Sequence, residues 1–211
     1  MSSPFDVLAS SYEATWSATP EGRGQRAEVW KVIDHLFQPG DRILDLGCGI
    51  GDDALHLRAH GVNVWGIDSS QEMAEISRAR GVEAHWLWME DLSAVFGDLS
   101  GVLSNFGALN CVARLEPVAE QLGRLVIPGG AVALCVMGRF FWRESARFLL
   151  QGEFAKATRR WRGKAFWRGT AIRYWSSAEM RRAFGPWFEF DKRVVVGRGD
   201  HQLYVFRRRV S

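Results

Sequence analysis

Apolar positions along the chain follow first a helical and then a strand rhythm. Val29, Ile33, Leu36 and Phe37 stand at i, i+4, i+7 and i+8, which predicts an amphipathic helix over Arg26 to Phe37, ended by Pro39-Gly40. The compact run Arg42 to Leu46 stops at a glycine turn and reads as a strand, and Ala54 to Ala59 reads as a helix closed by Gly61. The unit recurs as strand Val62 to Ile67, helix Gln71 to Arg80 and strand Val82 to Leu87. A fourth strand spans Gly101 to Ser104, followed by a helix around Leu115 to Leu125. Pro128-Gly129-Gly130 breaks the chain before a fifth strand, Ala131 to Met137, whose near-continuous apolar character suits burial on both faces. Ser176 to Phe184 reads as a serine-capped helix. Two last strands, Phe188 to Val196 and Gln202 to Arg207, are joined by Gly197-Arg198-Gly199-Asp200, too short for anything but antiparallel pairing. At the other end, Phe5 to Trp16 predicts a short helix and Thr19 to Gly24 a loop.

Strands alternating with helices imply crossover connections and a parallel sheet, so the fold class is α/β. At 211 residues the chain has room for one such domain, residues 1–211, with cap helices over 1–38 and an insertion over 139–175. A 47% apolar and 24% charged composition excludes a disordered chain, and no apolar run approaches the roughly 18 to 20 residues of a membrane span. Met1 to Ser11 lacks a basic n-region leading into an apolar h-region, so no signal peptide is expected and a cytoplasmic location is. Cys48, Cys111 and Cys135 are odd in number and lack ligand spacing, so neither a disulfide framework nor a zinc site is indicated. A net charge of +3 is mild; its distribution says more, because basic residues dominate Arg139 to Arg173, with Trp142, Trp161, Trp167 and Trp175 nearby.

The chemistry is concentrated in the glycine turn. Gly47, Gly49 and Gly51 lie between a strand and a helix, where missing Cβ atoms let the backbone turn tightly against a ligand and the helix N-terminus offers free N–H donors. A phosphate-binding loop reads G-x-G-x-x-G; here the third glycine comes one residue early and Asp45 precedes the first. A carboxylate there repels a pyrophosphate and suits an ammonium group. Asp68 ends the next strand 17 positions after Gly51, where it either accepts both hydroxyls of a ribose or caps the helix that Ser69-Ser70 begins.

The run Ile43-Leu44-Asp45-Leu46-Gly47-Cys48-Gly49-Ile50-Gly51, then Val64-Trp65-Gly66-Ile67-Asp68-Ser69-Ser70 and Met73, resembles motifs I and II of the class I S-adenosylmethionine-dependent methyltransferases. It is similar especially to the small-molecule branch that includes quinone-biosynthesis methyltransferases. The resemblance implies a Rossmann-like α/β/α sandwich around a seven-stranded, mostly parallel sheet, order 3-2-1-4-5-7-6 with an antiparallel last strand. S-adenosyl-L-methionine then lies across the C-terminal ends of strands 1 to 4, leaving as S-adenosyl-L-homocysteine. The loop carrying Asp45, Gly47, Cys48, Gly49 and Gly51 would hold the methionine part, Asp68 with Ser69 the ribose, and Met73 the adenine side.

One position departs from the family. Relatives show Gly-Asp-Ala after the third strand, whereas this chain has Leu87-Trp88-Met89 and then Glu90, so the usual adenine-binding Asp is a Trp. The Met89 backbone is then expected to face the adenine with Glu90 or a main-chain carbonyl taking its amine, and Trp88 packs alongside or belongs to the core. Phe5-Asp6, Ala9 and Tyr12-Glu13 resemble the family's N-terminal opening, whose tyrosine closes over the cofactor; Tyr12 alternatively anchors a loose helix. Asn105 and Phe106 are expected beside the cofactor, with Asn110 reaching substrate or capping the next helix. Asn-Phe-Gly-Ala-Leu-Asn is not the Asn/Asp-Pro-Pro-Tyr of nucleobase-amine methylases, which argues against nucleic acid.

Methyl transfer needs positioning and water exclusion more than a dedicated base, and no catalytic base is assigned. His56 and His60 form an i, i+4 pair without an evident third ligand and read as a solvated helix face, so no metal is expected. Residues 139–175 read as a lid of substrate-covering helices in which Arg139 binds an anionic group and Trp142 helps exclude water, or as a basic surface helix. Three functions compete: a methyltransferase acting on a small, anionic or aromatic molecule; an RNA or protein methyltransferase using Arg159, Arg160, Arg162, Lys164 and Arg168 with Trp161 and Trp167; and a catalytically silent cofactor-binding module.

Overall fold

The computed structural model describes residues 3–210 except Pro4, Phe96, Phe140, 155–157, Arg159 and Arg168, and only the backbone of 142–144. Nine strands occur among the described residues: β1 Arg42–Leu46, β2 Asn63–Asp68, β3 Glu83–Trp86, β4 Leu99–Ser104, β5 Val126–Met137, β6 Lys164–Trp167, β7 Thr170–Arg173, β8 Phe188–Val196 and β9 His201–Arg208. Seven of them make one sheet in the order β3-β2-β1-β4-β5-β9-β8, while β6 and β7 form a separate hairpin. β1 to β5 pair in parallel, and β9 runs antiparallel to both β5 and β8. Numbered within the sheet alone, this is the expected 3-2-1-4-5-7-6 order.

The helices are α1 Asp6–Tyr12, α2 Pro20–Ile33, α3 Asp52–Ala59, α4 Gln71–Ala79, α5 Glu116–Leu125, α6 Trp142–Leu150 and α7 Ser177–Phe184. A π-helical turn, Glu13–Ser17, extends α1, and a 3-10 turn covers Ala108–Cys111. Helix α2 begins well before the expected Arg26, so Thr19 to Gly24 is not a loop. Thr19 Oγ1 accepts from the Gly22 N–H at 3.0 Å, with Pro20 in the first turn. Gly22 is there for close approach, since a Cβ would stand 2.1 Å from the Trp16 carbonyl oxygen. Ser70 caps α4, and Ser176 with Glu179 forms a reciprocal capping box on α7.

Alternation along the strands sends successive side chains to opposite faces. Leu44, Leu46, Val102, Val132 and Leu134 pack toward Leu122 of α5 and Phe184 of α7. Ile43, Leu103, Ala133, Cys135 and Leu203 pack toward Val29 and Ile33 of α2 and Leu57 of α3. The insertion after β5 contains α6 and the β6–β7 hairpin, in place of helices alone. No helix of the described residues is long and apolar enough to cross a membrane.

Candidate functional site

The loops leaving β1, β2, β4 and β5 meet at the C-terminal edge of the sheet, where strand order reverses between β1 and β4. They enclose a cavity of about 420 Å³ that Phe5 and Tyr12 from the N-terminal region and Ala165, Phe166, Trp167, Ile172 and Tyr174 from the insertion also line. Gly47 and Gly49 form one wall with φ of +74° and +54°. Their loop is tied to β2: the Gly47 and Cys48 N–H groups donate to the Ile67 carbonyl at 2.8 and 3.0 Å, and the Gly49 N–H donates to Asp68 Oδ2 at 2.9 Å. A Cβ at Gly47 would lie 2.4 Å from the Ala108 side chain, so only glycine keeps β1 and β4 loops this close.

Asp68 lines the cavity and also accepts from the Ser70 N–H through Oδ1 at 2.8 Å. Ser70, not Asp68, is the helix cap; each Asp68 oxygen holds one backbone donor and keeps a lone pair open to a ligand. Burial pushes its carboxyl above the usual range, while the Ser70 and Gly49 N–H groups pull it down. Ser70 Oγ donates to Asp6 Oδ1 at 2.6 Å, which docks α1 against this wall, and Met73 packs with Ala9, Ile50 and Tyr12 beneath it.

Behind the glycine loop lies a buried charge network. Arg26, 7% exposed, donates to Asp53 Oδ2 at 2.7 Å and sits 3.3 Å from Asp52. Asp53 also accepts from Trp30 Nε1 at 2.7 Å and Asn105 Nδ2 at 3.1 Å. Asp45 is 1% exposed, and burial together with the Asp53 charge holds its carboxyl well above the usual range. Two buried atoms here have no partner, Asp45 Oδ2 and Arg26 Nε. An open acceptor and an open cationic donor, close enough for the Arg26 charge to act on Asp45, match the ammonium and carboxylate of a methionine end, so these residues fit an S-adenosylmethionine moiety. Phe106, with the unusual φ of +46°, lines the cavity and presents its ring to the Arg26 guanidinium at 5.0 Å, and Asn105, bonded to Asp53, lines it too.

Of the expected cofactor residues, Tyr12, Gly47, Gly49, Asp68, Ser69, Met73, Trp88, Met89, Glu90, Asn105 and Phe106 line the cavity. Trp88 is 42% exposed at its rim and is not a core residue. Asp45, Cys48 and Gly51 stand elsewhere. Asp45 is under the loop, Cys48 Sγ fills the space that Gly66 leaves open, and Gly51 opens α3 at φ +84° with Ser77 and Val82 against it. Asn110 is fully buried: its side chain exchanges hydrogen bonds with the Met137 N–H and carbonyl at 2.8 and 3.0 Å and donates to the Arg173 carbonyl. It pins β7 to β5 instead of reaching substrate. Arg139 likewise turns from the cavity, donating to the Tyr174 carbonyl at 3.3 Å and pairing with Glu179 at 3.4 Å. The Trp142 side chain lies outside the described residues.

Arg26, Asp53 and the hairpin's wall residues are the parts that sequence reasoning missed. Arg26 gave a signal only as a charged residue on a helix whose neighbours are periodic. His56 is no solvated residue either: its ring stacks on Trp30 at 3.8 Å, its Nε2 meets Asp34 Oδ1 at 2.7 Å, and the polar atoms of Asp34, His56 and His60 lie within 4.8 Å of one another. A larger groove of about 770 Å³ follows β2 and β3 past Arg42, Trp65 and His85 and includes none of the glycine loop.

A family model described as a methyltransferase domain matches residues 23–185. The chain is 32% identical over 143 residues to a demethylmenaquinone methyltransferase of Clavibacter sepedonicus, covering 64% of this chain and 57% of that protein. It is 38% identical over 135 residues to an S-adenosyl-L-methionine-dependent Diels-Alderase of Talaromyces variabilis, covering 59% and 46%. The matched segment thus spans about half the length of these relatives. The CcbJ methyltransferase of Streptomyces caelestis shares the fold with a TM-score of 0.73 at 17% identity over 99% of both chains. Strand order, glycine loop and domain match together place the chain in the class I S-adenosylmethionine-dependent methyltransferase family.

Proposed function

We propose that the chain transfers the methyl group of S-adenosylmethionine to a neutral, apolar or aromatic small molecule held between the cofactor and the β6–β7 hairpin. The wall of the cavity carries this reading. Its acceptor side is built from Phe166, Trp167, Ile172, Tyr174, Met137 and Val112, and no Lys, Arg or His is among the described liners. An anionic acceptor would be desolvated there with no cationic side chain among the described liners to pair with it. The match to a demethylmenaquinone methyltransferase supports a small-molecule acceptor.

The sulfonium, when bound, would supply an electrophilic methyl group that passes to an acceptor lone pair as the S–CH3 bond breaks, with neutral S-adenosylhomocysteine as the leaving group and any acceptor proton released to solvent. Gly47, Gly49 and the Arg26–Asp45 pair are assigned to the methionine part, and Asp68 to the ribose. Met73, Trp88, Met89 and Glu90 are assigned to the adenine side. Burial raises both Tyr12 and Cys111 to about 12, so the phenol and thiol in the wall stay protonated at neutral pH and exclude water without acting as bases. The rate then rests on alignment and desolvation of the acceptor. A second reading as a nucleic-acid enzyme loses Arg160, which is buried and donates to the Gly138 and Asp200 carbonyls.

Incubation with methyl-labelled S-adenosylmethionine and a panel of acceptors tests the proposal. Label should enter neutral aromatic or aliphatic acceptors in preference to carboxylated or phosphorylated analogues. Preference for the charged analogues, or cofactor bound and never consumed across the panel, would overturn it.

A further inference from the structure

Twelve large hydrophobic side chains are exposed among the described residues, and six of them, Leu149, Leu150, Phe154, Trp161, Phe166 and Trp167, belong to the insertion after β5. Leu150 and Phe166 are 91% and 77% exposed. Helix α6 turns Ser145 and Phe148 inward and leaves Leu149 and Leu150 outside. Chance placement in so short a stretch does not account for half of the exposed apolar side chains, and such concentrations mark interaction surfaces.

Charge selects the partner. From Arg139 to Arg173 the chain holds ten Lys or Arg against two Glu, a net of +8; with +3 for the whole chain, the remainder carries −5. Arg147, Arg162 and Lys164 are exposed among the apolar residues. Two copies meeting through this segment would bring +8 against +8. A single-stranded nucleic acid would find stacking faces at the tryptophans and none at Leu149 and Leu150. An anionic lipid surface satisfies both properties, with apolar side chains entering the acyl boundary and basic ones staying among headgroups.

We infer that the insertion docks the protein on an anionic bilayer, with the cavity mouth turned toward the lipid. Phe166 and Trp167 both line the cavity and are exposed, so an apolar acceptor leaving the bilayer meets the site at the contact itself. The route for the acceptor rests on the proposed function; the docking does not.

Flotation of the full chain with phosphatidylcholine vesicles, with and without about 30% phosphatidylglycerol, tests it at about 0.05 and 0.5 M NaCl. Retention on the anionic vesicles should exceed that on neutral ones by at least about tenfold and fall at the higher salt. The double substitution Leu150→Glu and Phe154→Glu, outside the cavity wall, should lower retention at least about tenfold without changing the melting temperature or S-adenosylhomocysteine affinity. Should that variant fold poorly, Arg162→Glu with Lys164→Glu gives the same loss through charge. Equal retention on neutral and anionic vesicles, unchanged retention in both variants, or release from vesicles by equimolar single-stranded RNA would overturn the inference. Vesicle binding without S-adenosylhomocysteine affinity would remove the proposed function and leave the docking intact.

Discussion

Replacing Asp68 by Ala removes two backbone contacts and the ligand's acceptor in one step. The Gly49 N–H borders the cavity, where water replaces the lost carboxylate; the Ser70 N–H is fully buried and has no such recourse. A hydrogen bond to a charged group contributes roughly 1.5 to 3 kcal/mol, and burial already penalises this carboxylate, so the loss of stability should be about 2 kcal/mol. For a chain of this size that lowers the melting temperature by about 4 to 8 °C. Cofactor binding loses the partner of two ribose hydroxyls, about 1 to 3 kcal/mol or roughly 5- to 150-fold in affinity. Isothermal titration with S-adenosylhomocysteine, beside a thermal melt, separates the two effects. Asp68→Asn keeps one acceptor oxygen and should fall between. If folded Asp68→Ala bound S-adenosylhomocysteine within twofold of wild type, the ribose would not sit on this carboxylate.

Three other substitutions probe the wall and its supports. Asp45 holds its proton more tightly folded than unfolded, so its contribution to stability falls as pH rises from about 4 toward neutrality. Asp45→Asn should remove that slope, and its melting temperature should gain on wild type as pH rises over the window; a constant difference would refute the buried acid. Gly51→Ala would place a Cβ 2.5 Å from Ser77 Oγ and 2.9 Å from Val82 at φ +84°, costing about 2 to 4 kcal/mol. Because Gly51 is absent from the cavity wall, titration should show cofactor affinity changed by less than about threefold in the folded variant. Asn110→Ala strips the Met137 and Arg173 backbone groups of their partner, about 2 to 4 kcal/mol. Limited proteolysis should then cut within residues 139–175 faster than in wild type, and an unchanged digestion pattern would show that the insertion is held elsewhere.

Local patterning carried the sheet well. β1 occupies the expected Arg42–Leu46, because an apolar run bounded by a charge and a glycine turn has few other ways to fold. The periodic pattern places α2 over Arg26 to Phe37, whereas the helix runs Pro20–Ile33: Gly22 and Gly24 depress helix propensity, but the Thr19-Pro20 start and the close approach to Trp16 override it. Asn110 and Arg139 do lie on loops at the correct edge, but which way a side chain turns depends on partners 27 to 63 residues away. Arg26 reached the glycine loop only through tertiary packing, and so did Asp34 beside His56 and His60. The β6–β7 hairpin, four residues a side, KAFW and TAIR, is too short and too irregular to show the alternation that marks a strand from sequence. What remained hidden was therefore the acceptor half of the cavity, which that hairpin builds.

A crystal structure with bound S-adenosylhomocysteine examines the site most directly. The ribose hydroxyls should meet Asp68, the methionine end should approach Gly47, Gly49 and Arg26, and the sulfur should face the chamber under Phe166 and Trp167. Ligand density in the groove past Arg42 and His85, or a ribose turned away from Asp68, would contradict the assignment of this cavity.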